Sequence, residues 1–237
     1  MIRVCEILHG KEKFDMDQEK KKKPLAPILA EEMEAEDRGF LRRCQEEETA
    51  VRTRQFAGLT CEGEDFSRMR FSGVKFRNCR FWNCSFSCGQ FTDVLFENCD
   101  LSGCDLDGGY MERIVFDSCK GVGAKFTGMV LKHLSLEECN FEDANFDSSR
   151  LEHVQILRTR LDHGSLTACR CRQVFWSEAS LKNASFFKTS LRGMDFSDSE
   201  IGGITVSDDN GELSGVTVDL YQAAQLAKKM GIIIKDV

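Results

Sequence analysis

The sequence predicts a solenoid built from a five-residue repeat, and three observations support this fold class. Large apolar residues recur at every fifth position, as in FSGVKFRNCRFWNCSFSCGQF at residues 71–91. A second column of mostly small residues lies two positions before the first, and the other three positions are rich in polar residues and glycine. A period of five fits neither a helix, which repeats every 3.6 residues, nor a strand, which repeats every 2. The five-residue period therefore indicates a repeat architecture, in which each repeat packs on its neighbours.

The large apolar column is the predicted core. It keeps one phase from Phe66 to Ile201, which does not arise by chance. The large and the small column should face inward, and the other three positions of each pentad should face outward. The predicted core phenylalanines are Phe71, Phe76, Phe81, Phe86, Phe91, Phe96, Phe116, Phe126, Phe141 and Phe146. Four positions depart from the usual Phe, Leu or Ile, namely Met111, Gly121, Cys171 and Trp176.

The repeat resembles the pentapeptide-repeat family, whose units read roughly A-[D/N]-[L/F]-x-x. The segments CDLSGCDLDG (99–108) and CNFEDANFDSS (139–149) carry the resemblance. It implies an all-β fold, a right-handed quadrilateral parallel β-helix with one pentad on each side and four pentads in each coil. Neighbouring coils would lie about 4.8 Å apart, which is the spacing of hydrogen-bonded strands. We expect this β-helix over residues 56–206, with about seven coils.

Twelve cysteines raise the question of a metal or redox site. Most lie in the small column, and a 20-residue coil would stack Cys79, Cys99, Cys119 and Cys139 in one file. There is no CxxC spacing, and a straight ladder of thiols does not provide the tetrahedral geometry of a zinc site. We interpret these cysteines as small buried apolar residues and expect no cofactor. A redox role for the stacked thiols is the alternative.

No motif in the sequence indicates catalysis. His133 and His153 are one coil apart and should stack on an outer surface, but two imidazoles are too few for a metal site. The nucleophile motif G-x-S-x-G, the zinc motif H-E-x-x-H and the phosphate-binding loop motif are all missing. The sequence therefore predicts a protein that is not an enzyme.

The outward positions around Phe96 predict an acidic, partly apolar protein-binding surface, called here the acidic face. Its predicted members are Glu97, Asp117, Glu137, Glu138, Glu178, Asp195 and Asp198, with Leu95, Val115 and Phe175 as exposed apolar side chains. Glu97, Asp117 and Glu137 should form a column of like charge, which costs stability and is explained by a partner. The neighbouring face carries mainly arginine and lysine. A chance difference between the faces is the alternative.

Residues 207–237 abandon the five-residue period and predict a cap. Asp219 and Gln222 form a capping-box pattern that opens a helix over residues 220–230, and Gly231 ends it. The segment IIIK (232–235) then predicts a short strand. The apolar residues of this cap need a surface to bury against, either the same rod or a second copy. The predicted dimerisation residues are Leu220, Tyr221, Ala224, Leu226, Ala227, Met230 and Ile232.

This cap is similar to the C-terminus of the Qnr-type quinolone-resistance proteins. The matching residues are Gly215, Val216, Tyr221, Gln222, Ala223, Leu226, Gly231 and Ile232. The resemblance implies a homodimer of rods joined end to end, a DNA-like acidic shape, and binding to DNA gyrase or topoisomerase IV. Two features differ from that group: no outward loops interrupt the repeat, and residues 150–192 are predominantly basic. A generic interaction scaffold with an unrelated protein partner is the alternative function.

The N-terminal part of the chain predicts an extension and a cap. Residues 1–25 are strongly charged and should be disordered, with Met16 as a second candidate start. Residues 26–55 favour a helix that covers the first coil. No apolar run is long enough to span a membrane and the start lacks a signal peptide, so we expect a cytoplasmic protein. The net charge of −7 argues against direct binding to nucleic acid.

Overall fold

The structure, a computed structural model, describes residues 23–235 as a parallel β-solenoid of about seven coils. Equivalent positions in successive coils are 20 residues apart, so that Phe76 pairs with Phe96 and Phe96 pairs with Phe116. The predicted quadrilateral β-helix is confirmed. The second start at Met16 and the disorder predicted for residues 1–22 lie outside the described residues. The disorder predicted for residues 23–25 is wrong, because the Leu25 N–H donates to His133 Nδ1.

One parallel sheet of eight strands runs along the rod. Its strands, in spatial order, are β1 (Glu34–Glu36), β2 (Val51–Ala57), β4 (Arg70–Arg77), β6 (Gln90–Glu97), β7 (Tyr110–Asp117), β8 (Val130–Glu137), β9 (Arg150–Leu157) and β10 (Arg170–Ser177). The short strands β3 (Thr60–Glu62) and β5 (Arg80–Trp82) pair on another side. Single β-bridges such as Asp100–Lys120 and Asp105–Lys125 connect the coils elsewhere.

A corner in the middle of each eight-residue strand lets that strand cover two sides of the rod. The corner residue of β6 is Asp93, which has a positive φ of 57°, and Gly73 takes the same place in β4. Aspartate, asparagine and glycine tolerate this left-handed conformation better than other residues do. The corner residues of the next three strands are Arg113, His133 and His153. Together, Asp93, Arg113, His133 and His153 are called the corner ladder below.

The core is the stack of large apolar side chains. All ten predicted core phenylalanines are buried. Rings stack along the axis, with centroids 5.1 Å apart for Phe76–Phe96 and 4.7 Å apart for Phe96–Phe116. Rings on adjacent sides meet edge to face, as Phe76 and Phe81 do at 5.5 Å. Both geometries are favourable for aromatic pairs, so the five-residue period is the spacing of one continuous aromatic core.

Cysteine and serine residues of the small column link the coils by hydrogen bonds, a role that the interpretation of the cysteines as small apolar residues missed. Cys119 Sγ donates to the carbonyl oxygen of Phe96 at 3.4 Å, and Ser149 Oγ donates to that of Phe126 at 2.6 Å. Burial raises the pKa of the Cys119 thiol, which therefore keeps the proton that it donates. Within residues 23–235, no group of three or more His, Cys, Asp or Glu side chains is arranged to hold a metal ion.

The N-terminal cap differs from the prediction. Helix α1 spans only Arg38–Glu46, with Asp37 accepting a hydrogen bond from the Phe40 N–H at 3.0 Å, so the helix expected over residues 26–55 is wrong in most of its length. Residues 23–33 instead form neither helix nor strand, with bends at Glu31 and Glu32. Pro24 and Pro27 exclude a helix there because proline breaks the helical hydrogen-bond ladder.

The C-terminal helix α2 spans Leu220–Lys229, and its predicted capping box is confirmed. Gln222 N–H donates to Asp219 Oδ1 at 2.7 Å, and Asp219 N–H donates to Gln222 Oε1 at 3.0 Å. The strand expected over residues 232–235 is wrong: this segment is irregular, and Ile233 is 87% exposed. A strand needs a neighbour to pair with its backbone. Among the described residues, neither helix has the length and apolar character needed to cross a bilayer.

Candidate partner-binding surface

The predicted column of carboxylates forms on the acidic face. Glu97 aligns with Asp117, and Asp117 aligns with Glu137, in three consecutive strands. Cations neutralise both ends of the column. Glu97 Oε2 lies 2.8 Å from Lys75 Nζ, and Glu137 pairs with the guanidinium of Arg158. The repulsion expected within the column is therefore largely offset inside the chain itself.

Glu137 contributes little charge to the surface because it is buried, with only 6% of the residue exposed. Its Oε2 atom is buried and has no hydrogen-bond partner among the described residues. Burial raises the pKa of Glu137, and the opposing effect of Arg158 does not compensate for it. Glu137 is part of the packed surface and not a freely exposed contact residue.

The two aliphatic side chains predicted to be exposed on this face are instead buried. Leu95 is 3% exposed and Val115 is 6% exposed. The physical reason at Val115 is that residues 23–33, called the strap below, run along the rod above this side chain. One cavity is lined by strap residues and face residues together: Lys23, Pro24, Ala26, Val115, Ser135, Glu137, Gln155 and Leu157.

Three hydrogen bonds place the strap across the coils. Gln55 Nε2 donates to the Met33 carbonyl at 3.0 Å. The Ile28 N–H donates to Asp93 Oδ1 at 2.8 Å, and the Leu25 N–H donates to His133 Nδ1 at 3.3 Å. From Met33 to Leu25 the strap therefore passes along the axis of the rod and ends above the corner ladder. The signal that sequence reasoning missed is that both prolines of the chain lie in this short segment.

The corner ladder provides a charged and a titratable anchor for the strap. Arg113 binds Asp93 through two bonds of 2.6 and 2.8 Å. Burial alone would raise the pKa of Asp93, but Arg113 and the Ile28 N–H outweigh it and lower that pKa. The imidazoles of His133 and His153 stack with centroids 4.7 Å apart. Burial and the neighbouring His153 lower the pKa of His133.

The acid that remains accessible lies beyond the strap. Glu138, Glu178 and Asp198 are exposed, whereas Asp117 and Asp195 are half-buried. Phe175, the third predicted apolar contact, is also half-buried. Only part of the predicted set is therefore presented as an open acidic surface.

A second candidate surface lies at the C-terminal end of the rod. Leu220 is 89% exposed and Tyr221 is 73% exposed, and Met230 and Ile232 are exposed as well. Ala224, Leu226 and Ala227 are half-buried, and Leu226 packs against the core of the same rod. The predicted dimerisation residues thus divide into an exposed group and a group that attaches the helix.

Gln222 anchors helix α2 to the end of the rod, and sequence reasoning assigned it only to the capping box. Its side chain is buried, and Nε2 donates to the carbonyl oxygens of Phe196, at 2.9 Å, and Ser199. The Lys229 ammonium donates to the Ile204 carbonyl. These bonds hold the helix so that its opposite side, with Leu220 and Tyr221, faces outward.

The sequence matches two profiles of one family. The profile described as a pentapeptide repeat region matches residues 69–140 and 89–166, and the profile described as pentapeptide repeats (8 copies) matches residues 165–200. Together these matches cover more than half of the chain. The chain belongs to the pentapeptide-repeat family. A search of curated proteins gave no significant match.

The chain shares its fold with the solved structure of QnrB1. QnrB1, a plasmid-mediated fluoroquinolone resistance protein, matches with a TM-score of 0.52 and 22% sequence identity, over 75% of this chain and 100% of QnrB1. HetL, a pentapeptide-repeat protein involved in heterocyst differentiation regulation in the cyanobacterium Nostoc sp. strain PCC 7120, matches with a TM-score of 0.40 and 15% identity, over 76% of this chain and 96% of HetL.

Proposed function

We propose that this pentapeptide-repeat protein is a dimeric, non-enzymatic rod that binds a type II topoisomerase, DNA gyrase or topoisomerase IV, and modulates the action of quinolones. The observation that carries the proposal is the C-terminal module, a capped helix that presents Leu220 and Tyr221 at the end of the rod. That segment is the one whose sequence resembles the Qnr-type proteins. QnrB1, whose fold this chain shares, is described as a fluoroquinolone resistance protein.

The exposed apolar side chains at the end of the rod support a homodimer. Soluble monomers rarely leave several large apolar residues exposed side by side, and such patches are commonly interfaces. Two copies related by a two-fold axis would bury Leu220, Tyr221 and Met230 against the same patch of the other copy. The result would be a rod of twice the length.

The accessible carboxylates support an acidic docking surface. Glu138 and Glu178 are exposed on the acidic face beyond the strap. Asp117 lies between these two residues and Glu97, whose charge is neutralised by Lys75. A row of carboxylates on a narrow rod attracts the basic channel of a DNA-binding enzyme, which is the sense in which the rod would mimic DNA.

The test is a gyrase supercoiling assay with the purified full chain, with and without a fluoroquinolone. We expect the protein to relieve inhibition by the drug, and we expect this relief to weaken as salt rises. The variant Glu138→Lys/Glu178→Lys should lose the effect. The matched control is Glu62→Lys/Glu200→Lys on another face. All four carboxylates are exposed. Each pair of substitutions removes one surface ion pair, Glu138 with Arg158 in the variant and Glu200 with Lys182 in the control. Equal activity of the two variants, or no effect of the wild-type protein, would contradict the proposal.

A generic interaction scaffold with an unrelated partner is the second candidate. The observation that favours it is the pairing of Glu97 and Glu137 with cations of the same chain, which leaves fewer free carboxylates than a DNA mimic requires. Under this candidate the protein has no effect on gyrase at any salt concentration, although the dimer forms.

A further inference from the structure

The strap and the rod have matching repeats. Pro24 and Pro27 are three residues apart, and the residue after each proline donates its N–H to the corner ladder. The two acceptors, His133 and Asp93, lie two coils apart. Three residues of polyproline II helix rise about 9.3 Å, and two coils of the solenoid rise about 9.6 Å. An extended segment with this proline spacing therefore stays in register with the rod.

The surface beneath the strap is a groove with one polar and one apolar wall. The corner ladder forms the polar wall, and Val115 and Leu157 lie along the apolar wall. Ser135 Oγ and Glu137 Oε2 are buried at this position and have no hydrogen-bond partner among the described residues. The groove thus retains hydrogen-bonding capacity that the strap does not use.

The proline spacing also suits the energetics of docking. Proline has no backbone N–H, so Pro27 is buried without leaving a donor unpaired. The N–H groups that do face the rod, at Leu25 and Ile28, both find acceptors. A polyproline II segment is already extended before it binds, which reduces the entropy lost on docking. These are the properties of a peptide-binding groove.

We propose that this groove is a docking site for an extended peptide with two prolines three residues apart, and that the strap is its internal occupant, displaced when a partner presents a segment of the same kind. The docking does not depend on the identity of the partner. One consequence rests on the proposed function: the docked strap covers Val115 and Glu137, and so screens part of the acidic face.

The experiment uses a full chain with a specific protease site inserted between Ala30 and Glu31 and cut after folding. The released fragment is removed by gel filtration, and unchanged far-ultraviolet circular dichroism shows that the rod remains folded. A fluorescent peptide with the sequence of residues 20–30, KKKKPLAPILA, is then titrated and its anisotropy measured. We expect saturable binding to the cut protein. The uncut protein should bind at least tenfold more weakly, because its tethered strap competes at high effective concentration.

Matched variants separate groove binding from attraction of lysines to an acidic protein. A peptide carrying Pro24→Ala and Pro27→Ala, and a scrambled peptide of the same charge, should each bind at least tenfold more weakly. In the protein, Asp93→Gly should weaken binding similarly, and Gly73 shows that glycine fits the corner. Asp143→Gly is the control, because Asp143 is an exposed aspartate with the same left-handed backbone and lies away from the strap.

Absence of peptide binding to the cut protein, or equal binding of the scrambled peptide, overturns the proposal. If the cut fragment stays bound through gel filtration, its rate of release is measured instead. Release must then be faster from Asp93→Gly than from Asp143→Gly, and equal rates overturn the proposal. No readout involves a topoisomerase, so failure here and failure of the proposed function are separate results.

Discussion

The ring of Phe141 fills the space that Gly121 leaves empty in the large apolar column. A Cβ atom added to Gly121 would lie 2.2 Å from Phe141 Cε1, a distance that no real contact reaches. Phe141 also meets Phe116 and Phe126 edge to face, with centroids 5.6 and 5.9 Å apart. The glycine that breaks the repeat is thus compensated by the aromatic ring one coil further along.

This relationship predicts strong coupling between the two positions. We expect Gly121→Leu to destabilise the protein by about 1–3 kcal/mol through overpacking. The double variant Gly121→Leu/Phe141→Leu, which places the leucine common in this column at both positions, should recover most of the lost stability. Equilibrium unfolding in guanidinium chloride, read as a double-mutant cycle, measures the coupling.

A glycine outside the core serves as the control. At Gly202 the nearest atom to an added Cβ lies 3.8 Å away, so Gly202→Ala should change stability by less than about 0.5 kcal/mol. Additive effects of the changes at Gly121 and Phe141 would contradict this account of the core.

Docking of the strap should depend on pH through His133. The Leu25 N–H needs an unprotonated Nδ1 as its acceptor, and a protonated imidazole has none. The pKa of His133 in the docked state lies below its usual value of 6.5, because of burial, His153, Arg113 and Lys132, while Glu112 acts in the opposite direction. Undocking leaves His153, Arg113 and Lys132 in place but removes the burial by the strap and the bond from the Leu25 N–H, both of which disfavour a protonated imidazole. The undocked state therefore binds more protons, so docking weakens as the pH falls through the pKa of His133 in the undocked state.

Hydrogen exchange of residues 23–33, corrected for intrinsic rates, measures this effect at pH 7.5 and pH 5.5. We expect protection to fall at the lower pH, by up to about tenfold for each unit that separates the docked and undocked pKa values of His133. His133→Gln is the control, since glutamine does not titrate and Gln173 occupies the equivalent corner. If this variant shows the same pH dependence, His133 is not the group responsible.

The cysteine, serine and threonine positions of the small column should require a hydrogen-bond donor. We expect Cys119→Ala to cost about 1 kcal/mol or more, because it removes the bond to the Phe96 carbonyl and leaves a small void. Cys119→Ser should cost less, because Ser149 makes the same bond in its own coil. Thermal unfolding of both variants provides the comparison. A serine variant less stable than the alanine variant would show that cysteine acts there only as an apolar side chain.

The exposed end of the rod should determine the oligomeric state. We expect light scattering to give about twice the chain mass of 26.9 kDa, and Leu220→Asp/Tyr221→Asp to give the monomer, because charge at a buried apolar contact is costly. Thr60→Asp, at an exposed position in β3, adds charge far from the helix and should remain dimeric. A monomeric wild-type protein would rule out the end-to-end rod.

The aromatic core and the capped C-terminal helix followed from local patterns in the sequence, and the quadrilateral solenoid followed from the resemblance to the pentapeptide-repeat family that the five-residue period carries. A residue such as Phe96 is buried because of its place in a five-residue period, and Asp219 caps because Gln222 follows three residues later. The sequence did not predict that Cys119 donates a hydrogen bond, because this bond requires the neighbouring coil to place the Phe96 carbonyl oxygen beside the thiol.

The strap was decided by tertiary structure. Its main contact joins Ile28 to Asp93 across 65 residues of sequence, and no local pattern encodes a contact of that separation. The repeat placed Leu95 and Val115 on the outside of the solenoid, and this placement is right for the solenoid taken by itself. Val115 is buried because a segment outside the repeat fits a groove whose rise over two coils nearly equals that of three residues of extended chain. Period and capping are properties of neighbouring residues, whereas the accessibility of the acidic face depends on what the folded rod binds along its length.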